Sequence, residues 1–167
     1  MNQKQHLREV MQQYEIYTDG SCLPNPGVGG YAAIIYENNH PSIYVGGEGK
    51  STNNRMEFLA VLSAIKMLPE GAEAIVYTDS QLVINVLTGE WQGKKTKDFL
   101  NEYKDLAVDK KISFKWVKAH NGHKLNDACD HIASWARRFN SSEEGFSSPL
   151  WGPVTVTKDA PVWSHIK

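Results

Sequence analysis

Four acidic residues sit in four separate contexts from which they could act together. Asp19 closes a strand-like run within Tyr17-Thr18-Asp19-Gly20-Ser21, and Glu57 follows Thr52-Asn53-Asn54-Arg55-Met56. Asp79 ends Tyr77-Thr78-Asp79 before Ser80-Gln81, and Asp130 closes a segment that opens His120-Asn121-Gly122-His123 and continues Asn126-Asp127-Ala128-Cys129. A carboxylate where a strand gives way to the next element is placed at the sheet edge where α/β proteins bind ligands. Several hard oxygen donors gathered there suit Mg²⁺ or Mn²⁺ better than zinc, which prefers nitrogen and sulfur.

The elements that must position these acids follow from periodicity. Residues 14–22 read as a strand, with Ile16 and Thr18 on one face and Tyr17 and Asp19 on the other. The segment Leu23–Gly30, rich in Gly and Pro, is expected to be a turn or loop. Tyr31–Tyr36 is a second strand and Ser42–Gly47 a third, joined through Asn38-Asn39-His40-Pro41 as a meander. Residues 54–68 form a helix whose stripe Glu57, Ala60, Val61, Ala64, Ile65, Leu68 faces the sheet. Glu57 is then either an inward charge that a cation or hydrogen bonds must compensate, or a carboxylate favoured near a helix start by the dipole.

Ala74–Thr78 is a fourth strand, and Ser80 is the expected N-cap of a short helix over Gln81–Leu87, ending near Gly89. Helical spacing over Thr96–Val108, a fifth strand at Ile112–Val117 and a helix over Lys124–Phe139 complete the order βββαβα(α)βα. That is an α/β domain over residues 12–139 with a mixed five-stranded sheet flanked by helices. Residues 140–167 form a tail expected to be docked or partly disordered. Phe146, Leu150, Trp151 and Trp163 make it rich in aromatic and apolar groups for a disordered segment.

Composition bounds the function. The chain of 167 residues suffices for one well-buried domain. With 18 Lys plus Arg against 19 Asp plus Glu, no global positive field marks a polyanionic partner, so nucleic-acid binding must be local. Lys94-Lys95-Thr96-Lys97 and the series Lys110, Lys111, Lys115, Lys118 are the basic candidates, interleaved with Asp98, Glu102, Asp105 and Asp109 as a solvated surface would be. Only Cys22 and Cys129 are present, without metal-type spacing, and no apolar run approaches the ~20 residues of a membrane span. The start of the chain lacks the apolar core of a signal peptide, so a cytoplasmic monomer is expected.

The four blocks, with Asn25-Pro26-Gly27 after the first, resemble type 1 ribonuclease H, occurring in that family's order over roughly residues 12–139. Each block alone is weak; the set on its expected elements is specific. The resemblance implies a metal-dependent endonuclease that hydrolyses the RNA strand of RNA–DNA hybrids, leaving 5′-phosphate and 3′-hydroxyl ends. A phosphodiester is a stable anion, so attack by water needs charge neutralisation and nucleophile generation together, which two Mg²⁺ ions ~3.5–4 Å apart supply, with Mn²⁺ able to substitute. By resemblance Asp19 bridges both metals, with Glu57, Asp79 and Asp130 completing the shells, and His120 is the histidine of a mobile loop that carries a proton. His123 is the more structural of the two histidines.

Asn25, Asn54 and Gln81 resemble the amides that reach into the hybrid's minor groove, where 2′-hydroxyls distinguish RNA from DNA. Thr52 and Arg55 lie in the block expected to grip a DNA-strand phosphate, with turn and cap chemistry as the alternative role for these polar residues. Many bacterial members carry a long basic protrusion with tryptophans before the fifth strand. Here Gly89–Lys110 holds only Trp91 and the Lys94–Lys97 cluster, which predicts weak, salt-sensitive hybrid binding. A binding module that has lost catalysis is disfavoured because all four carboxylates are present. Transposase and integrase nucleases lack the Asn-Arg-Met-Glu and His-x-Gly-His blocks.

Overall fold

Strand β1 (Gln13–Cys22) lies inside a mixed sheet, between an antiparallel neighbour and a parallel one. The computed structural model describes residues 2, 13–119, 122 and 124–141, together with the backbone of 154–156. β2 (Gly27–Glu37) and β3 (His40–Ser51) complete the antiparallel meander. Asn38 and Asn39 between them take φ of 51° and 65°, the left-handed conformation that a tight hairpin requires and Asn tolerates. β4 (Glu73–Thr78) runs parallel to β1, and β5 (Lys111–Trp116) parallel to β4, giving the order 3-2-1-4-5 for these strands.

β2 starts earlier than the sequence predicts. Gly29 and Gly30 are not turn residues but pair with Cys22 and Ser21 across the ladder. Their lack of a side chain serves packing instead. A Cβ on Gly29 would stand 2.6 Å from Met56 Sδ, and one on Gly30 would collide with the backbone nitrogen of Arg137. Two helices therefore close on the sheet at this point from opposite faces.

Those helices are α1 (Asn53–Lys66) and α4 (Lys124–Asn140). α1 covers one face, where Ile16, Phe58, Val61, Ile65 and Val76 are fully or almost fully buried. α4 covers the other, with Tyr17, Ile34, Ile43, Cys129 and Ile132 between helix and sheet. Each large apolar side chain removed from water there contributes roughly 1.5–3 kcal/mol before entropy is counted. α2 (Gln81–Leu87) and α3 (Lys97–Ala107), the latter entered through a 3₁₀ turn at Lys94–Thr96, flank the α1 side. Phe99 of α3 stacks on Phe58 at 4.6 Å. β1 is thus covered on both faces, with α1 and α4 both set against its C-terminal half.

A sixth strand, β6 (Val154–Val156), pairs antiparallel with β3 at Ile43–Val45. The sequence predicts five strands. The tail's Val-Thr-Val segment, β-branched throughout, adds the sixth by satisfying part of the open edge of β3. Phe146, Leu150, Trp151 and Trp163 lie outside the described residues, and among the described residues no helix is long and apolar enough to cross a membrane.

Candidate active site

β1 and β4 run parallel, so their C-terminal ends carry Asp19 and Asp79 to one edge of the sheet. α1 brings Glu57 to the same edge. Thr52 caps that helix, its Oγ1 accepting from Arg55 N at 3.1 Å, and Glu57 falls one turn inward, beyond the exposed end where a dipole contact would suffice. Glu57 and Asp19 are both buried, at 9% and 3% exposure. Carboxylate oxygens of Asp19, Glu57 and Asp79 lie within 4.8 Å of one another. Asp130, from α4, lines the same open cleft, together with Asn53, Asn54 and Ser80.

Electrostatics record how closely the acids are gathered. Burial, and next the charge of Glu57, hold the Asp19 carboxyl well above its usual range, and Asp19 is hydrogen-bonded to both Glu57 and Asp130. Burial pushes Glu57 up to about 8; Asp79 and Asp130 add to the shift, and hydrogen bonds from Asp19 and the Gly20 backbone oppose it. The Cys129 thiol behind the cluster is raised by burial first and then by all four carboxylates. Four acids therefore share one low-dielectric site, where like charges cost most. No lysine or arginine lines the cleft among the described residues.

A divalent cation fits this donor set. Glu57 Oε2 is buried without a hydrogen-bond partner among the described residues, a state that costs on the order of 1–3 kcal/mol or more for a charged group. Oxygen-only ligation suits Mg²⁺ or Mn²⁺. Cys129 stays out of such ligation, because its Sγ is engaged with the carbonyls of Tyr17 and Ala32, each at 3.3 Å.

The amide residues named from the sequence lie around the cleft with their own engagements. Asn54 lines it and is exposed, and Gln81 is exposed beside Ser80, which caps α2 by accepting from Val83 N at 3.2 Å. Asn25 Oδ1 accepts from Asn53 N at 3.1 Å, tying the loop after β1 to the start of α1. Arg55 grips Glu48 in a two-point ion pair at 2.9 and 3.0 Å, and its guanidinium lies 5.3 Å over Phe99. Gly122 has a φ of 78°, a left-handed conformation that glycine adopts without steric cost. His120 and His123 lie outside the described residues.

Several residues near the cluster were not legible as site residues. Trp116 Nε1 donates to the Asp79 carbonyl at 3.1 Å, fixing the end of β4 from β5. Asn53 Oδ1 accepts from Cys22 N at 2.7 Å, and Arg137 Nε donates to Ser21 Oγ at 2.9 Å. These contacts span 31, 37 and 116 positions, and nothing in local periodicity signals them. Away from the cleft, Trp91, Lys94, Lys97 and Lys104 line a separate groove along α3, which is the short basic segment expected there.

Comparison with known proteins gives one consistent result. The RNase H family profile matches residues 11–138. A Ribonuclease H from Campylobacter jejuni is 43% identical over 132 residues, spanning 74% of this chain and 90% of the relative. Ribonuclease HI from Helicobacter pylori is 42% identical over 131 residues, spanning 74% and 92%. Among solved structures, the N-terminal RNase H domain of a Mycobacterium tuberculosis protein, fused to maltose binding protein, superposes with a TM-score of 0.63 at 26% identity. That match covers 75% of this chain and 94% of the other.

Proposed function

The chain belongs to the RNase H family, and on that premise we propose that it is an endonuclease that hydrolyses the RNA strand of RNA–DNA hybrids in a metal-dependent reaction, leaving 5′-phosphate and 3′-hydroxyl ends. The observation that carries this reading is the convergence of Asp19, Glu57 and Asp79 within 4.8 Å in a cleft that Asp130 also lines. Asp19, Glu57, Asp79 and Asp130 would hold two Mg²⁺ ions, or Mn²⁺ in their place. Bound there, the ions neutralise phosphate charge and lower the pKa of a water for attack on phosphorus.

The chain's own groups do the rest. Asp19, hydrogen-bonded to both Glu57 and Asp130, would be the central carboxylate of the set that holds the ions. Trp116 holds the Asp79 backbone through its carbonyl, which fixes the point from which that carboxylate would reach a metal ion. His120 is proposed to move a proton to or from a group beside the cluster, as an imidazole titrating near neutrality can.

Substrate choice is assigned to the polar rim. Asn25, Asn54 and Gln81 would read the hybrid's minor groove and its 2′-hydroxyls. Thr52 and Arg55 would meet a DNA-strand phosphate, Arg55 through the part of its fork that Glu48 does not occupy. The catalytic domain is taken as residues 12–139. Hybrids labelled separately on the RNA and DNA strands, with duplex DNA and single strands as controls, test the reading. Mg²⁺-dependent cutting of the RNA strand alone is expected; equal cutting of duplex DNA, or full activity in excess EDTA, contradicts it.

A further inference from the structure

We infer that Arg137 is an additional substrate-binding residue, whose guanidinium takes a phosphate of the hybrid next to the carboxylate cluster; the inference rests on the hybrid-cleaving function proposed above. Ser21 lies two positions beyond Asp19 on β1, on the same face of the strand, and lines the cleft. Arg137 reaches it from α4, its Nε donating to Ser21 Oγ at 2.9 Å. On α4 Arg137 follows Asp130 by seven positions, two turns along the same helix face and about 10 Å away. The helix that supplies one acid of the cluster therefore also sets a cation at its border.

The surroundings of this guanidinium suit an anionic ligand. Arg137 is only partly exposed, and among the described residues no carboxylate pairs with it. Among the described residues only its Nε is engaged, with a neutral hydroxyl, which leaves the terminal nitrogens for two-point binding of a phosphate. Arg55 shows the contrast, since Glu48 already fills two positions of its fork. The Arg137 backbone is also held in place. A Cβ on Gly30 would collide with its backbone nitrogen, and Asn140, one turn on, donates from Nδ2 to Gly29 O at 3.1 Å. A preplaced donor fork loses little entropy on meeting its ligand.

The ligand chemistry follows from the position. Among the described residues no acid of the cluster pairs with Arg137, so the anion it takes is assigned to the substrate. A strand whose cleaved phosphate lies over Asp19 and Asp130 carries further phosphates on either side of it. Arg137 is placed for one of these rather than for the reacting group. Its effect belongs in binding, not in the chemical step.

Steady-state cleavage of a hybrid by Arg137→Gln and Arg137→Lys, over a series of salt concentrations and with melting temperatures recorded, tests this. For Arg137→Gln, KM is expected to rise ~10-fold, as loss of one charge-assisted contact implies, with kcat within about two-fold. The slope of log affinity against log salt should become shallower by about 0.9, the value for one phosphate contact on duplex DNA. Arg137→Lys, which keeps the charge, should recover most of the KM and the salt slope. An unchanged KM and slope in a parent protein that cleaves hybrid would overturn the inference and leave the proposed function intact. A fall in kcat and melting temperature with an unchanged salt slope would also overturn it, showing that Arg137 only braces β1 through Ser21; if Arg137→Gln does not fold, the Lys variant decides by whether it keeps the parent slope. A parent protein without hybrid cleavage removes the functional reading itself.

Discussion

Gly20 lies against the backbone of Glu57: a Cβ on Gly20 would stand 2.6 Å from Glu57 N. The absence of that one carbon lets α1 approach β1 closely enough to set Glu57 beside Asp19. Because the obstacle would be backbone, no side-chain rotation could absorb it. Gly20 is in this sense part of the site without offering a ligand.

Gly20→Ala should therefore separate the two carboxylates. Overpacking at such a contact costs roughly 1–3 kcal/mol of stability. Activity should fall by at least ~10-fold, the consequence of losing about 1.4 kcal/mol of transition-state stabilisation, and Mg²⁺ affinity should fall with it. Melting curves with and without Mg²⁺, read beside turnover, check this; a variant that folds and keeps full activity would show that the close approach is not needed.

Asp19→Asn should abolish cleavage yet stabilise the metal-free protein. Like charges ~4 Å apart repel by ~4 kcal/mol at an effective dielectric near 20, a ceiling that shared protons and solvent reduce. Recovery of ~1 kcal/mol raises the melting temperature by ~2–4 °C for a domain of this size. The measurement is thermal denaturation in EDTA, where a less stable variant would mean that the acids do not repel as their placement implies.

The pH dependence of stability has a definite sign. Glu57, at about 8, and Asp19 both titrate higher in the folded protein than as ordinary carboxylates. The folded state thus keeps protons that the unfolded chain gives up, and stability falls with pH wherever that holds. The contribution is fully present below the unfolded carboxylate pKa of ~4.3 and is lost as pH rises through about 8. EDTA-treated protein should melt lower near pH 9 than near pH 6, and Mg²⁺ should restore the loss because it binds the ionised acids. A melting temperature that climbs over this range in EDTA would contradict the assignment.

His120→Ala should lower turnover by ~10²-fold, the low end for a general acid–base group. Metal-induced stabilisation and hybrid affinity should stay near those of the parent, since on this proposal the carboxylates and not the imidazole would hold the cations. Turnover within a few-fold of the parent, with reduced stability, would assign His120 a loop-ordering role.

Much of this site could be read from local sequence because each acid sits in its own short polar block beside an apolar strand or helix stripe. Tyr-Thr-Asp occurs inside β1 as residues 17–19 and across the end of β4 as residues 77–79, and the apolar stripe below Glu57 fixes which way that acid faces. The strand starting at Gly27 was hidden because glycine reads as a turn, whereas here it answers the pressure of helices on both faces. Strand β6 escaped because three residues carry too little periodicity, and the open edge of β3 that recruits them is a property of the sheet. Arg137 and Trp116 could not be found at all by pattern. Their partners, Ser21 and the Asp79 carbonyl, are brought to them only when α4 and β5 take their places.

The most direct measurement of the central claim is metal binding and hybrid cleavage determined side by side on the parent and on Asp19→Asn. Titration calorimetry with Mg²⁺ or Mn²⁺ reports the first, and a hybrid labelled on its RNA strand reports the second. The parent should bind the cation and cut the RNA strand, and Asn at position 19 should remove both while leaving a folded, more stable protein. An Asp19→Asn protein that still cleaves in Mg²⁺ would contradict the account, because the cluster built on Asp19 would then not be where the chemistry takes place.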